Sequence, residues 1–85
     1  MTGKLVRSKA GHDKGMLYIV VREEEHCVYV ADGVLKTYGN PKRKNRKHLQ
    51  LINSGFSAEE INKLAENPAN ADTEIKYKIK QCANC

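Results

Sequence analysis

The sequence predicts a mainly β domain, a small and strongly bent sheet or barrel that carries one helix in its C-terminal half and a final strand. Three observations predict it. Short β-rich runs recur at close spacing through the first fifty-two residues; an Asp32-Gly33 pair stands between two of them; and a helix-capping signature begins at Ser57. With 85 residues the chain has the length of one domain, and a domain of that size buries only about 60–65% of the surface its unfolded chain exposes. Residues 1–52 are expected to form the barrel, and residues 53–85 a helix plus strand appended to the same domain, with a frayed C-terminus.

The first strand is the short apolar segment 5–7, which runs into Ser8-Lys9-Ala10-Gly11-His12-Asp13-Lys14-Gly15. Two glycines and an aspartate suit a tight loop there, with Gly11 and Gly15 shaping it and Asp13 capping the turn. The continuous apolar run 16–21 is β-branched and too short for a helix, so it reads as the most buried strand. Glu23-Glu24-Glu25 reads as a solvated turn. The runs 27–31 and 34–38 flank Asp32-Gly33, the pattern of a two-residue hairpin. Gly39-Asn40-Pro41 interrupts the second run, and the basic stretch 42–48 is expected as an ordered loop before a fifth strand at 49–52. Ser57 and Glu60 form a capping box, Phe56 and Ile61 take the two positions of a hydrophobic staple, and Asn67-Pro68 ends the helix. The segment 73–80 alternates Ile75, Tyr77 and Ile79 with Lys76, Lys78 and Lys80, the period of a half-buried strand.

Charge is distributed unevenly. The formal net charge is +5, and residues 1–50 hold eleven Lys/Arg against five Asp/Glu, whereas residues 51–85 hold four against five. A concentrated positive surface attracts polyanions. No apolar run approaches the roughly 20 residues that span a bilayer, and no membrane partner is expected. The N-terminal residues lack the apolar core of a secretory signal, Thr2 stands where myristoylation needs glycine, and Cys82-Ala83-Asn84-Cys85 does not fit a prenylation signal. Three cysteines without a signal sequence point to a reducing cytoplasm.

The segments Gly3-Lys4-Leu5-Val6, the 8–15 loop and the apolar strand at 17–21 resemble a KOW motif. With Ala31-Asp32-Gly33 and Pro41-Lys42-Arg43-Lys44-Asn45-Arg46-Lys47-His48-Leu49, the first fifty residues are similar to the large-subunit ribosomal protein fourteen family of archaea and eukaryotes and its short bacterial relatives. The resemblance covers roughly residues 3–51. It implies an SH3-like barrel that binds RNA, with ribosomal RNA as the target, through loop and basic residues. The family more often has arginine where His12 stands, and residues 52–85 lie outside the match.

The expected RNA contacts are therefore Lys42, Arg43, Lys44, Arg46 and Lys47 as the electrostatic anchor, Lys9, His12 and Lys14 as a second contact, and Lys36 and His48 beside them. Arg7 could extend this surface. Tyr18 and Tyr29 sit in apolar strands and read as core, which leaves Tyr38 as the one candidate for stacking on a base. Cys82 and Cys85 are half of a zinc motif without a second pair, so no metal and no cofactor are expected. No Gly-Lys-Ser/Thr phosphate loop, His-Glu-x-x-His or nucleophile elbow is present, and catalysis is not expected. The alternative function is a protein-interaction module that docks a transcription or translation partner through Glu23-Glu24-Glu25, the apolar face of the 57–67 helix or the last strand. Oligomeric state is left open.

Overall fold

The computed structural model describes residues 1–83. Five antiparallel strands form one sheet: β1 (Lys4–Ser8), β2 (Leu17–Glu23), β3 (Cys27–Ala31), β4 (Lys42–Asn45) and β5 (Leu49–Gly55), in the order β4-β3-β2-β1-β5. Two helices follow, α1 (Ala58–Glu66) and α2 (Ala71–Ala83), with a 3-10 turn at Pro68–Asn70 between them.

Both faces of the sheet are apolar. Leu5, Ile19 and Ala31, paired across β1, β2 and β3, lie in one cluster with Phe56, Leu64, Ala71 and Ile75 from the helical half. Val6, Tyr18, Val20, Val28, Val30 and Leu49 make a second cluster on the other face, to which no helix contributes among the described residues. A face buried without a covering layer must be covered by the sheet itself, so the sheet curls around this second cluster. The connection between the edge strands requires the same curvature. In a flat sheet β4 and β5 would lie about 19 Å apart, at ~4.8 Å per strand. The link from Asn45 to Leu49, a single 3-10 turn at Arg46–His48, spans at most about 14 Å even when fully extended. No ladder joins β4 to β5, so the curl remains an open sheet.

Several expected elements take another form. The basic run 42–45 is a strand, not a loop, and pairs with β3 through Val30↔Lys42 and Val28↔Lys44. The run 34–38 is a loop: the N–H groups of Asp32 and Gly33 both donate to the Lys36 carbonyl, and the Asp32 carboxylate accepts from the N–H groups of Val34 and Lys36. That tight turn uses the backbone groups a hairpin ladder would need. The most buried strand is β3, with four of five residues buried, because β2 carries its last two residues into solvent. The final strand expected at 73–80 is the helix α2. Ala71, Ile75, Ile79 and Cys82 fall on one helical face towards the first cluster, whereas Tyr77 remains 61% exposed. Ile75 and Ile79 satisfy a helical spacing as well as an alternating one. Pro68 leads into the helical segment, and the Lys, Glu and Gln residues of this stretch are good helix formers.

The capping box is present: Ser57 Oγ accepts from the Glu60 N–H, and Glu60 Oε1 accepts from the Ser57 N–H at 3.0 Å. The apolar face of α1, with Leu64 buried and Ile61 packed against the same cluster, belongs to the core.

Gly33 docks α2 against the sheet. Its φ is +82°, and a Cβ there would run into the Asp72 and Lys76 backbone. The Asp72 carboxylate meanwhile accepts from the Tyr38 N–H at 2.7 Å. Gly33→Ala should therefore destabilise the protein by about 2 kcal/mol or more, through left-handed strain and displacement of α2. Urea unfolding followed by circular dichroism checks this, and an unchanged midpoint would show that α2 does not rest on the turn.

Candidate nucleic-acid interface

The inner face of β4 governs the geometry of the candidate site. Lys42 and Lys44 pair with Val30 and Val28 and share their side of the sheet, so both lysines point into the curl, with Arg43 on the opposite side. The 9–15 loop crosses the mouth of the curl and brings Asp13 to meet them. Asp13 Oδ1 accepts from Lys44 Nζ at 2.8 Å, and Oδ2 accepts from Lys42 Nζ at 3.1 Å. Tyr18 OH donates to Oδ2 at 2.8 Å. The Ser8 hydroxyl lies 3.0 Å from Oδ1 and 2.9 Å from the Ala10 carbonyl, and its single hydrogen is shared between them. Four partners fill the four acceptor positions of a carboxylate.

These groups are largely withdrawn from water. The side chain of Asp13 is 12% exposed and that of Lys44 10%, while Lys42 keeps 36% of its surface. Burial pushes the Asp13 carboxyl up; the hydrogen bonds from Lys44, Tyr18, Lys42 and Ser8 together outweigh it and hold the group well below the usual carboxylate range. Burial first, then the hydrogen bond to Asp13 and the charges of Asp13 and Asp32, push the Tyr18 phenol up. Tyr18 is thus a core residue, as expected, with its hydroxyl in the network. Asp13, expected to cap its turn, instead spends its carboxylate on the side chains of Ser8, Tyr18, Lys42 and Lys44, because the curl brings the β4 lysines within reach.

The loop that carries Asp13 is shaped by Gly11 and Gly15, at φ of +88° and +91°. Lys14 N–H donates to the Gly11 carbonyl, and Gly15 N–H to that of Ser8. Lys9, His12 and Lys14 are exposed on it. At the loop's start, Lys9 N–H donates to the His48 carbonyl at 2.8 Å, which sets the loop against the 3-10 turn that bears Lys47 and His48, both exposed. The two basic segments, separate in sequence, are neighbours in space.

The remaining expected contacts divide. Arg43 is exposed, and its Nε lies 3.2 Å from the buried Cys27 Sγ. Arg46 is held at the far end of β4 by Glu23, at 3.0 Å, and by the Glu24 carbonyl; Glu23 also takes the N-terminal amine. Lys36 lies apart, in the loop beside α2, with its carbonyl and N–H in the Asp32 turn. Tyr38 packs half-buried against the first core cluster, and Tyr29 is half-buried with the Arg22 guanidinium 4.1 Å over its ring. Arg7 is exposed on β1 opposite Gln50.

The network around Asp13 has a sequence signal that a charge count passes over: Lys42 and Lys44 are two apart, the spacing that puts strand residues on one face. Among the described residues no group of three His, Cys, Asp or Glu could hold a metal ion, and no helix is long and apolar enough to cross a membrane. Cys85, and with it the Cys-x-x-Cys pair, lies outside the described residues. A scan against models of known protein families and a search of curated proteins each returned no match for this chain.

Asp13→Asn leaves the Lys44 ammonium buried without its counter-charge, and should cost on the order of 3 kcal/mol at neutral pH. A carboxyl held below its unfolded value contributes stability that is present above about pH 3.9 and is lost as the pH falls through its folded value. The gap between the native protein and the variant should therefore narrow on acidification below about pH 4. Urea midpoints measured across acid and neutral pH check both statements; a gap independent of pH would remove the carboxylate charge from the account.

Proposed function

We propose that the protein binds RNA through its phosphate backbone, on a surface made by the 9–15 loop and the 3-10 turn at Arg46–His48, and that the curled sheet is an SH3-like barrel of the KOW kind acting in the cytoplasm. The observation that carries this reading is the Lys9–His48 backbone contact, which puts Lys9, Lys47 and His48 beside one another, with Lys14 and His12 on the same loop. Phosphate binding needs several cations on one rigid surface, and affinity then comes largely from counterion release. The resemblance of residues 3–51 to a ribosomal family favours ribosomal RNA as the target. The ion pairs revise the roles of the basic residues. Lys44 and Lys42 hold the fold together around Asp13, Arg46 is engaged by Glu23 and Arg43 lies against Cys27 on the other side of β4, so the anchor moves to Lys9, Lys14 and Lys47, with His12 and His48 close by.

About three phosphate contacts give a slope of log K against log salt of about −2 to −2.7. Replacing both Lys9 and Lys47 by Ala should reduce that slope by about 1.5 with little effect on stability. Lys44→Ala should lower stability and leave the slope of the folded fraction unchanged. Binding of a short RNA hairpin, titrated at several salt concentrations, checks these outcomes. A slope near −1 in the native protein, or one untouched by the double substitution, would overturn the reading. Crosslinking in cells followed by sequencing identifies the RNA: crosslinks at one place in large-subunit ribosomal RNA are expected, and crosslinks spread over many transcripts would remove the ribosomal assignment.

A further inference from the structure

The 32–38 loop holds apolar side chains out in solvent. Leu35 is 79% exposed and Val34 58%, and Met16 is exposed beside them. With Leu17 and Ile79 they line a groove of about 470 Å³ between the start of β2, this loop and α2. The loop is firmly built: Asp32 caps two of its N–H groups, Gly33 sits against the α2 backbone, and Asp72 takes the Tyr38 N–H. An apolar patch held in place in this way has the character of a binding surface.

Its rim is positive. Lys76 and Lys80, one helical turn apart on α2, flank the groove and are exposed. The one acid in the lining, Asp32, has its Oδ1 occupied by the Val34 and Lys36 N–H groups. A second copy of the chain fits poorly, because a twofold pairing of this face would set its lysines against their own copies. We propose that the groove binds an acidic amphipathic helix of a protein partner, with leucine-like side chains seated on Met16, Val34, Leu35 and Ile79 and carboxylates against Lys76 and Lys80. This surface includes Lys76, Ile79 and Lys80 of the 73–80 segment that the sequence suggests for protein docking, presented there by a helix and joined to the 32–38 loop, and it is independent of the RNA reading.

The test is a nuclear magnetic resonance titration of the ¹⁵N-labelled full chain. The probes are a helical peptide of Leu and Glu with leucines along one face, the same peptide with Lys in place of Glu, phosphatidylglycerol vesicles and a short RNA hairpin. The Glu peptide should shift the amides of Met16, Val34, Leu35 and Ile79, and the Lys peptide should not. Leu35→Ser, at a solvated site where folding is not at stake, should weaken peptide binding by about tenfold or more. Joint Lys76→Glu and Lys80→Glu replacement should reverse the preference between the peptides, and the Lys9 and Lys47 double variant should bind the Glu peptide as the native protein does. Absence of groove shifts with the Glu peptide, equal shifts with both peptides, or shifts with vesicles or RNA alone would overturn the proposal.

Discussion

The Asp13 carboxylate is the constraint on which the other parts depend. It stands on the loop between β1 and β2, yet its partners Lys42 and Lys44 lie on β4, separated from β2 by β3 in sheet order. The contact is possible only because the sheet curls, and once made it resists uncurling. Charge burial is costly unless the acceptor and donor positions are filled. Here both oxygens are filled twice over, by two ammonium groups, a phenol and a hydroxyl. The same interaction rigidifies the loop and covers the open end of the second cluster, whose Tyr18 is one of the donors.

That arrangement separates two uses of positive charge that the sequence runs together. Within β4 the strand's alternation decides the matter: Lys42 and Lys44 face inward to a carboxylate, and Arg43 faces outward. At the end of the strand the chain turns across the seam, and Lys47 and His48 become solvated next to the loop cations. A basic stretch can therefore contribute to folding through one parity and leave its cations in solvent through the other. The loop glycines serve both, because the backbone that presents Lys9 and Lys14 is the backbone that delivers Asp13.

Much of the first half was legible. The β-rich runs at 5–7, 17–21, 27–31 and 49–52 are all strands, and Gly11 and Gly15 take the positive φ their loop demands. The capping box at Ser57 and Glu60 marked α1 accurately, since capping is a local interaction that needs no tertiary context. Errors came where one pattern serves two structures. Ile75 and Ile79 fit a strand or a helix, and only the apolar face waiting on the sheet decides between them. Asp32-Gly33 signals a hairpin when the flanking strands pair, but here the close approach of α2 requires the glycine. Charged residues at 42–45 look like a loop because their paired partners, β3 and Asp13, are remote in sequence.

The strand order has a consequence for the order of synthesis. Strand β1 lies inside the finished sheet, and Leu5 pairs with Ile19 on one side and with Ile52 on the other. The first partner follows at once from the ribosome, but the second comes only after two further strands, β3 and β4. At about 5–20 residues per second, a nascent chain holds one edge of β1 open for several seconds. Lys4 and Arg7, both exposed at that edge, are the kind of residue that discourages a neighbouring chain from pairing there first.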